Sequence, residues 1–120
     1  MARILVIDDE ESIRILLRKI LEQAGHEVIE AVDGEKGTDI FYQTPTDLIV
    51  TDILMPEKEG LRTIMDIRRD FPEVKIIAIS GGGTVEPETY LNLAEKLGAD
   101  RTLTKPFRTN ELLVMVAELL

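Results

Sequence analysis

Three nearly continuous apolar runs constrain the fold of this chain more than any other feature of its sequence. The runs cover residues 4–7, 48–51 and 74–79. Strands that are buried on both faces have such runs, whereas half-exposed strands alternate apolar and polar residues. Segments with apolar residues at helical spacing lie between the runs. Strands that alternate with helices predict an α/β fold, with a doubly wound parallel sheet and helices on both faces.

Five strand–helix units can be traced along the chain. The predicted strands are about residues 3–7, 27–31, 47–51, 74–79 and 101–104. The predicted helices are about residues 10–24, 33–44, 57–70, 86–97 and 108–120. Gly25 is expected just after the first helix, Asp33 is expected to cap the second, and Met55-Pro56 should break the chain before the third. We therefore expect a five-stranded sheet in one domain that covers residues 1–120.

Apolar residues at helical spacing define the expected buried faces of the first and last helices. In the first helix they are Ile13, Leu16, Leu17, Ile20 and Leu21. In the last helix they are Leu112, Leu113, Val116, Ala117 and Leu120. Residues that recur every three or four positions lie on one side of a helix. We expect both of these sides to be buried.

Composition argues against several classes of protein. The chain has 120 residues, of which 44% are hydrophobic, and its formal net charge is -9. Direct binding of nucleic acid needs a basic surface, so this acidic balance argues against it. The chain has no cysteine, which excludes a disulfide framework and a thiolate zinc site. No apolar stretch approaches the roughly 20 residues of a membrane span, and no signal peptide precedes the first strand, so we expect a cytoplasmic protein.

Acidic residues follow two of the apolar runs at the points where the strands should end. Asp8 and Asp9 follow the first run, and Asp52 follows the second. In an open parallel sheet the carboxyl ends of the strands face one crevice, where ligands bind. Three carboxylates there repel one another unless protons or a cation offset their charge. Oxygen ligands of this kind suit Mg²⁺, so the sequence predicts a magnesium site.

A hydroxyl group and an ammonium group are expected at the same edge of the sheet. Ser80 follows the fourth apolar strand and Lys105 follows the fifth. A lysine ammonium is a compact charge suited to phosphate, and Pro106 fixes the backbone after it. Asp52 beside a metal could act as a nucleophile toward phosphorus and form an acyl phosphate. Together these residues could bind a metal, host a phosphoryl group and neutralise its charge.

The acidic residues also have an ordinary structural interpretation. Asp8 and Asp9 could cap the first helix, with Glu10 and Glu11 placed favourably for the helix dipole. The doubled Asp directly after a buried strand is unusual for a cap, however. Asp52 could be a loop residue, although it stands too far from the next expected helix to cap it.

Four further residues or motifs can be interpreted as ordinary loop or surface residues. Ser80 and Lys105, taken singly, could be ordinary loop residues. Residues 81–83 are three glycines, but no Gly-Lys-Ser/Thr or G-x-G-x-x-G pattern is completed, so we expect a flexible loop rather than a phosphate cradle. His26 stands at the end of its strand that faces away from the crevice, so we interpret it as a surface residue. Catalysis by a Ser/His/Asp set is therefore not expected.

Taken together, these motifs resemble the receiver domain of two-component response regulators. The resemblance rests on motifs in family order across the whole chain: Ile7-Asp8-Asp9-Glu10, Asp52-Ile53-Leu54-Met55-Pro56 with Gly60 after it, Ile79-Ser80, Gly98-Ala99-Asp100 and Lys105-Pro106-Phe107. It implies a flavodoxin-like fold with strand order 2-1-3-4-5. It also implies that Asp52 takes a phosphoryl group from a histidine kinase phosphohistidine. Asp8, Asp9, Asp52 and the Leu54 carbonyl then resemble the family's Mg²⁺ site.

The resemblance assigns roles to the other two site residues as well. Ser80 is similar to the hydroxyl residue that turns toward the acyl phosphate. Lys105 is similar to the lysine that pairs with it, and the Lys105-Pro106 peptide is cis in the family. Two features depart from the family. Thr102 stands where an aromatic switch residue is usual, and the loop after Ser80 is about three residues longer.

The implied function is a signalling switch that catalyses its own phosphorylation. Its donor would be a sensor histidine kinase or a phosphotransfer protein. Its output surface would be helix 4, strand 5 and helix 5, which could bind a downstream partner or form a homodimer. An alternative is a receiver-like interaction module that needs no phosphate, which Thr102 favours and the intact site residues oppose. An aspartyl phosphohydrolase like the haloacid dehalogenases would need a second Asp where this chain has Leu54.

Two positions also predict slow loss of the phosphoryl group. In the family, the positions two after the phosphorylated Asp and two after the hydroxyl residue flank the path of the attacking water. Here they are Leu54 and Gly82, and neither side chain can orient a water molecule. We therefore expect a phosphorylated state that lasts longer than that of fast chemotaxis-type receivers.

Overall fold

The structure is a computed structural model and describes residues 2–53, 59–81 and 87–120. Its strands are β1 (Arg3–Ile7), β2 (Glu27–Ala31), β3 (Leu48–Asp52), β4 (Lys75–Ser80) and β5 (Arg101–Thr104). Its helices are α1 (Glu11–Gln23), α2 (Gly34–Gln43), α3 (Glu59–Asp70), α4 (Pro87–Leu97) and α5 (Thr109–Leu119). The predicted break at Met55-Pro56 and the predicted helix starts at Glu57 and Glu86 lie outside the described residues.

The five strands form one parallel sheet in the order β2-β1-β3-β4-β5. Within it, Ile7 at the end of β1 pairs with Ala31 of β2 on one side and with Thr51 of β3 on the other. Asp52 at the end of β3 pairs with Ile79 of β4. The sheet confirms the predicted α/β class and the doubly wound, flavodoxin-like strand order. In this order β1, β3 and β4 are interior strands, which explains their unbroken apolar sequences.

The helices cover both faces of the sheet, and alternate strand residues point to each face. On one face, α2, α3 and α4 pack through a core that includes Leu5, Ile7, Phe41, Ile49, Ile64, Ile67, Ile76 and Ala94. On the other face, α1 and α5 pack through a core that includes Ile4, Val6, Leu17, Leu21, Val50, Ile77, Leu112 and Val116. Both cores are therefore built from the same strands, and neither face of the sheet is left to solvent.

Local signals at two helix ends are confirmed. Gly25 follows the last turn of α1 with φ +94°, a left-handed conformation that favours glycine. Asp33 caps α2, because its Oδ1 accepts a hydrogen bond from the Lys36 backbone N–H at 2.8 Å. None of the helices in the described part of the chain is long and apolar enough to cross a bilayer.

The expected buried faces of α1 and α5 are correct only in part. Leu16 is 44% exposed, whereas Leu17, Ile20 and Leu21 of the same helix are buried. In α5, Leu112 and Val116 are buried, but Ala117 and Leu120 are exposed. Met115 and Leu119 contact the core instead. The buried side of α1 is therefore narrower than its apolar pattern, and the buried side of α5 is rotated toward Met115 and Leu119.

A close approach of α3 to β3 requires glycine at position 60. A Cβ atom on Gly60 would lie 2.5 Å from the Ile53 Cα and 3.1 Å from the Asp52 carbonyl carbon. Both neighbours are backbone atoms, which cannot move aside as a flexible side chain could. The first turn of α3 therefore packs directly on the end of the strand that carries Asp52.

Replacing Gly60 with alanine tests two effects on stability that have opposite signs, helix propensity and packing. Alanine is the better helix former by about 1 kcal/mol, so propensity alone predicts a gain in stability. Overpacking against the backbone predicts a loss of about 1–3 kcal/mol, and we expect this loss to dominate. Urea denaturation of Gly60→Ala measures the sign. Ser12→Ala, at an exposed position of α1, is the control and should change the free energy of unfolding little.

Candidate functional site

Four acidic side chains lie together at the carboxyl edge of the sheet. Asp8 directly follows β1, Asp52 ends the neighbouring β3, and Asp9 and Glu10 continue the chain after Asp8. Each of the four offers a carboxylate oxygen within 4.8 Å of the others. Asp8 and Asp52 are buried, with 1% and 4% exposure, whereas Asp9 and Glu10 are exposed. The fold thus brings together Asp8, Asp9 and Asp52, as the sequence predicted.

The ammonium group of Lys105 lies among these carboxylates. Its Nζ is 2.9 Å from Asp52 Oδ2, 3.4 Å from Asp8 Oδ2 and 3.8 Å from Glu10 Oε1. The Lys105 backbone N–H donates to the Ser80 carbonyl at 2.7 Å, which ties the ends of β4 and β5 together. The Lys105-Pro106 peptide is cis. Lys105 therefore supplies a positive charge where two buried carboxylates meet.

Ser80 ends β4 and is fully buried. Among the described residues its Oγ has no hydrogen-bond partner. A buried hydroxyl without a partner costs about 1–3 kcal/mol, so such groups usually have a specific reason to be present. Asp52 pairs in register with Ile79, the residue directly before Ser80. Ser80 therefore lies one residue beyond the strand partner of Asp52, at the same edge of the sheet as the carboxylates.

Burial and neighbouring charges perturb the pKa values of two residues in the site. Burial raises the pKa of Asp8 to about 6, and the nearby Asp52 charge adds to this, although the Glu10 N–H and Lys105 oppose it. Burial alone would lower the pKa of Lys105. The hydrogen bond from Lys105 to Asp52, with the charges of Asp52, Asp8 and Glu10, outweighs burial and raises that pKa. Lys105 therefore stays charged at neutral pH, while Asp8 resists ionisation.

Two residues of the site were missed from the sequence. Glu10 joins the carboxylate group, although its position in the sequence indicated only a favourable place for the helix dipole and membership of the Ile7-Asp8-Asp9-Glu10 motif, with no ligand role. Its place beside Asp8 and Asp9 was a signal that could have indicated a ligand role. Arg14, on α1, donates from Nη1 to the Asp8 carbonyl oxygen at 2.7 Å. No motif pointed to Arg14, because this contact depends on how α1 lies against the end of β1.

Neither Asp8 nor Asp9 is the N-cap residue of α1, although Asp8 bonds to the backbone of the turn before it. The residue at the N-cap position of α1 is Glu10, whose side chain makes no capping hydrogen bond. Asp8 Oδ1 accepts a hydrogen bond from the Glu10 N–H at 2.8 Å, while its Oδ2 faces Lys105. Asp8 therefore uses one oxygen to shape the turn and leaves the other for the site.

The other residues that the sequence analysis singled out either have structural roles or lie outside the described residues. A Cβ on Gly81 would lie 2.7 Å from Lys105 Cβ, and Gly81 has φ +156°, so glycine lets β4 end close to Lys105. His26 precedes β2 at the opposite edge of the sheet, is partly buried, and accepts a hydrogen bond from the Ala2 N–H at 3.2 Å. The Leu54 carbonyl, expected as a metal ligand, and Gly82 lie outside the described residues.

The donor set fits a hard divalent cation. Mg²⁺ takes oxygen ligands at about 2.0–2.1 Å, so two ligands on opposite sides of one ion are about 4 Å apart. The carboxylate oxygens of Asp8, Asp9, Glu10 and Asp52 are already within 4.8 Å of one another. Small side-chain rotations would bring them to that spacing. A cation there would also favour the ionised form of Asp8, against the burial and the Asp52 charge that raise its pKa.

Substituting Asp8 should make the metal-free protein more stable. The pKa of Asp8 is about 6 in the folded protein and 3.8 in the unfolded chain, so the folded state favours the protonated carboxyl. The stability that this contributes is fully present below pH 3.8 and is lost as the pH rises through about 6. Asp8→Asn removes the charge and should add about 1–3 kcal/mol to the free energy of unfolding at pH 7.5. Urea denaturation with a chelator at pH 5 and pH 7.5 measures this.

The control for this experiment is Asp39→Asn, at an exposed position of α2. It removes one negative charge from the surface without touching the carboxylate group. We expect the parent and this control to lose stability between pH 5 and pH 7.5, and Asp8→Asn to lose less. An equal loss in all three proteins would contradict the assigned cause.

Comparisons with known sequences place the chain in one family. The family model of the response regulator receiver domain matches residues 4–117. Protein CcdB of Bacillus subtilis (strain 168) is 33% identical over 121 residues, which cover 100% of this chain and 98% of that protein. The DNA-binding dual master transcriptional regulator RpaA of Synechocystis is 36% identical over 122 residues. That match covers 100% of this chain and 49% of RpaA, so the chain spans about half of that regulator's length.

A solved structure agrees with the sequence comparisons. The response regulator protein TrrA from Thermotoga maritima, in complex with Mg(2+)-BeF, superposes with a TM-score of 0.88 at 35% identity. The match covers 100% of both chains. Sequence, strand order and the acidic edge of the sheet lead to the same conclusion. The chain belongs to the response regulator receiver domain family of two-component signalling systems.

Proposed function

We propose that this receiver domain accepts a phosphoryl group on Asp52 and thereby switches a surface that binds a partner. The observation that carries the proposal is the contact of Asp52 Oδ2 with Lys105 Nζ at 2.9 Å, inside a buried group of carboxylates. A nucleophilic carboxylate there is held beside a permanent positive charge. The Ser80 hydroxyl has no partner among the described residues, which supports its proposed role as a hydrogen-bond donor to a phosphoryl oxygen.

The transfer is a simple displacement at phosphorus. An Asp52 carboxylate oxygen attacks the phosphorus of a phosphohistidine, and a phosphorus–oxygen bond forms as the phosphorus–nitrogen bond breaks. The electron pair of the broken bond stays on the leaving histidine nitrogen, which takes a proton from water. Lys105 offsets the negative charge of the phosphoryl oxygens, and Ser80 donates a hydrogen bond to one of them. The product is an acyl phosphate on Asp52.

Mg²⁺ belongs to the same proposal. Asp8, Asp9 and Asp52 are the proposed ligands, together with the Leu54 carbonyl expected from the family resemblance. Glu10 is near enough to take part directly or through water. When bound, the ion supplies positive charge that reduces repulsion between the carboxylates and the incoming phosphoryl oxygens. The residues of the chain then need only hold the phosphorus in line with the attacking Asp52 oxygen.

The proposed output surface consists of α4, β5 and α5. Ser80 and Lys105 stand at its edge, so a phosphoryl group would pull on the chain segments that lead into it. The far end of α4 is anchored: Arg68 of α3 donates to the Gly98 carbonyl at 2.9 Å and pairs with Asp100 at 2.8 Å. Any movement should therefore be largest at the end of α4 nearest Ser80.

The partners follow from this scheme. We propose a sensor histidine kinase or a phosphotransfer protein as the donor, and a protein that reads the output surface as the target. A homodimer through α4, β5 and α5 is an alternative way to read it. Direct nucleic-acid binding by this acidic domain is not expected. The proposal also takes residues 1–120 as one receiver domain that works in the cytoplasm and loses its phosphoryl group slowly.

Labelling tests the chemistry directly. Incubation with Mg²⁺ and acetyl phosphate should add one phosphoryl group, detected by intact mass. Asp52→Asn should abolish the added mass, because the nucleophilic oxygen is replaced by an amide. Asp39→Asn, the exposed control, should label at the parent rate. Labelling retained in Asp52→Asn would sink the assignment, and a parent that never labels would favour the phosphate-independent interaction module.

Hydrogen exchange tests the output surface. The amide exchange rates of labelled and unlabelled protein should differ mainly between residues 80 and 107, because Ser80 and Lys105 contact the phosphoryl group. Within α4, residues near Gly98 should change least, since Arg68 anchors that end. Changes confined to α1 and α2 would contradict the proposal.

A further inference from the structure

Arg14 holds the segment that carries three of the four clustered carboxylates. Its Nη1 donates to the Asp8 carbonyl at 2.7 Å, and its backbone N–H donates to the Glu10 carbonyl at 3.1 Å. Its side chain is only 12% exposed. The second contact is the ordinary backbone bond of the first helical turn, so the Arg14 side chain holds the segment through the Asp8 carbonyl.

Arg14 and the acidic segment also contact the end of β2. Arg14 Nε pairs with Glu30 Oε1 at 3.3 Å, and the Asp8 backbone N–H donates to the carbonyl of Ala31, the next residue, at 3.2 Å. Arg14 therefore lies between the end of β2 and the acidic segment, and it contacts both. A planar guanidinium can make such contacts in two directions, which an ammonium cannot do as well.

We propose that Arg14 is a positioning residue for divalent cation binding, acting through the backbone of residues 8–10. This inference rests on the proposed Mg²⁺ site. A cation site works when its ligands are held in place before the ion arrives, and partners behind the ligands typically account for about tenfold or more in affinity. Arg14 contacts no carboxylate of the cluster among the described residues, so it acts through the chain that carries them.

The positive charge of Arg14 has the opposite effect on cation affinity. A guanidinium near a cation site repels the cation, so loss of Arg14 could strengthen binding by charge alone. Arg14 pairs with Glu30, however, and the network of Arg14, Arg18, Glu30 and Glu22 is neutral as a whole. Loss of backbone positioning should therefore outweigh the change in charge. Removing both members of the pair at once keeps the net charge and isolates positioning.

The structure offers a matched control on the same helix. Arg18 also pairs with Glu30, at 2.5 Å, and with Glu22 at 3.0 Å, but it has no hydrogen bond to residues 8–10 among the described contacts. The double variants Arg14→Gln/Glu30→Gln and Arg18→Gln/Glu30→Gln have the same net charge and both lose ion pairs to Glu30. They differ in whether the Arg14 contact with the Asp8 carbonyl survives.

The experiment is a titration of each protein with MgCl₂, followed by amide chemical shifts, with circular dichroism to show that each is folded. We expect the Arg14 double variant to bind Mg²⁺ about tenfold more weakly than the parent, and the Arg18 double variant to bind within about twofold of it. Arg14→Lys, which keeps the charge, replaces the Arg14 double variant if that protein does not fold, and it should also bind more weakly.

The outcomes separate this inference from the proposed function. Equal affinity of the parent and the Arg14 variants would overturn the positioning role while leaving the metal site intact. Equal weakening in both double variants would also overturn it, because loss of the Glu30 pairs would then be the cause. A parent that shows no shifts with MgCl₂ would overturn the proposed metal site, and the role of Arg14 with it.

Discussion

The balance of charge at the carboxyl edge of the sheet governs what this domain can do. Four carboxylates are gathered there around one lysine ammonium, and two of them are buried. Burial raises the Asp8 pKa to about 6 and the Asp52 charge adds to this, so the metal-free site disfavours the ionised form of Asp8. A site in this condition has a built-in preference for added positive charge. That preference supports the proposed cation site, and a bound cation would in turn offset the charge of the proposed phosphoryl group.

The rest of the structure holds this edge in place. Parallel pairing of β1, β3 and β4 aligns the strand ends, so residues far apart in sequence meet without long side chains. Glycines at positions 60 and 81 let α3 and the end of β4 approach Asp52 and Lys105 more closely than any side chain would permit. Holding buried carboxylates close together at this edge lowers the stability of the folded protein. A ligand that binds the folded state can offset this loss.

The sequence predicted the elements well because nearly continuous apolar runs alternate along it with segments whose apolar residues have helical spacing. It was less reliable about helix faces: Leu16 and Ala117 fit the apolar patterns of α1 and α5 but are exposed. Periodicity tells which residues share a side of a helix, but not how the helix is rotated against the sheet. Glu10 and Arg14 were missed for a related reason, since their roles depend on the path of the chain between β1 and α1.

The sequence by itself determined the fold class, the strand ends and the chemistry that could gather there, because strand-end residues of a parallel sheet must share one edge. Only the tertiary structure decided which oxygen atoms face one another and which groups lie behind them. Asp8 points one oxygen into its own turn and one toward Lys105, and Arg14 reaches its backbone from outside. Such contacts join residues through space at distances of a few ångströms, and no pattern along the chain encodes them.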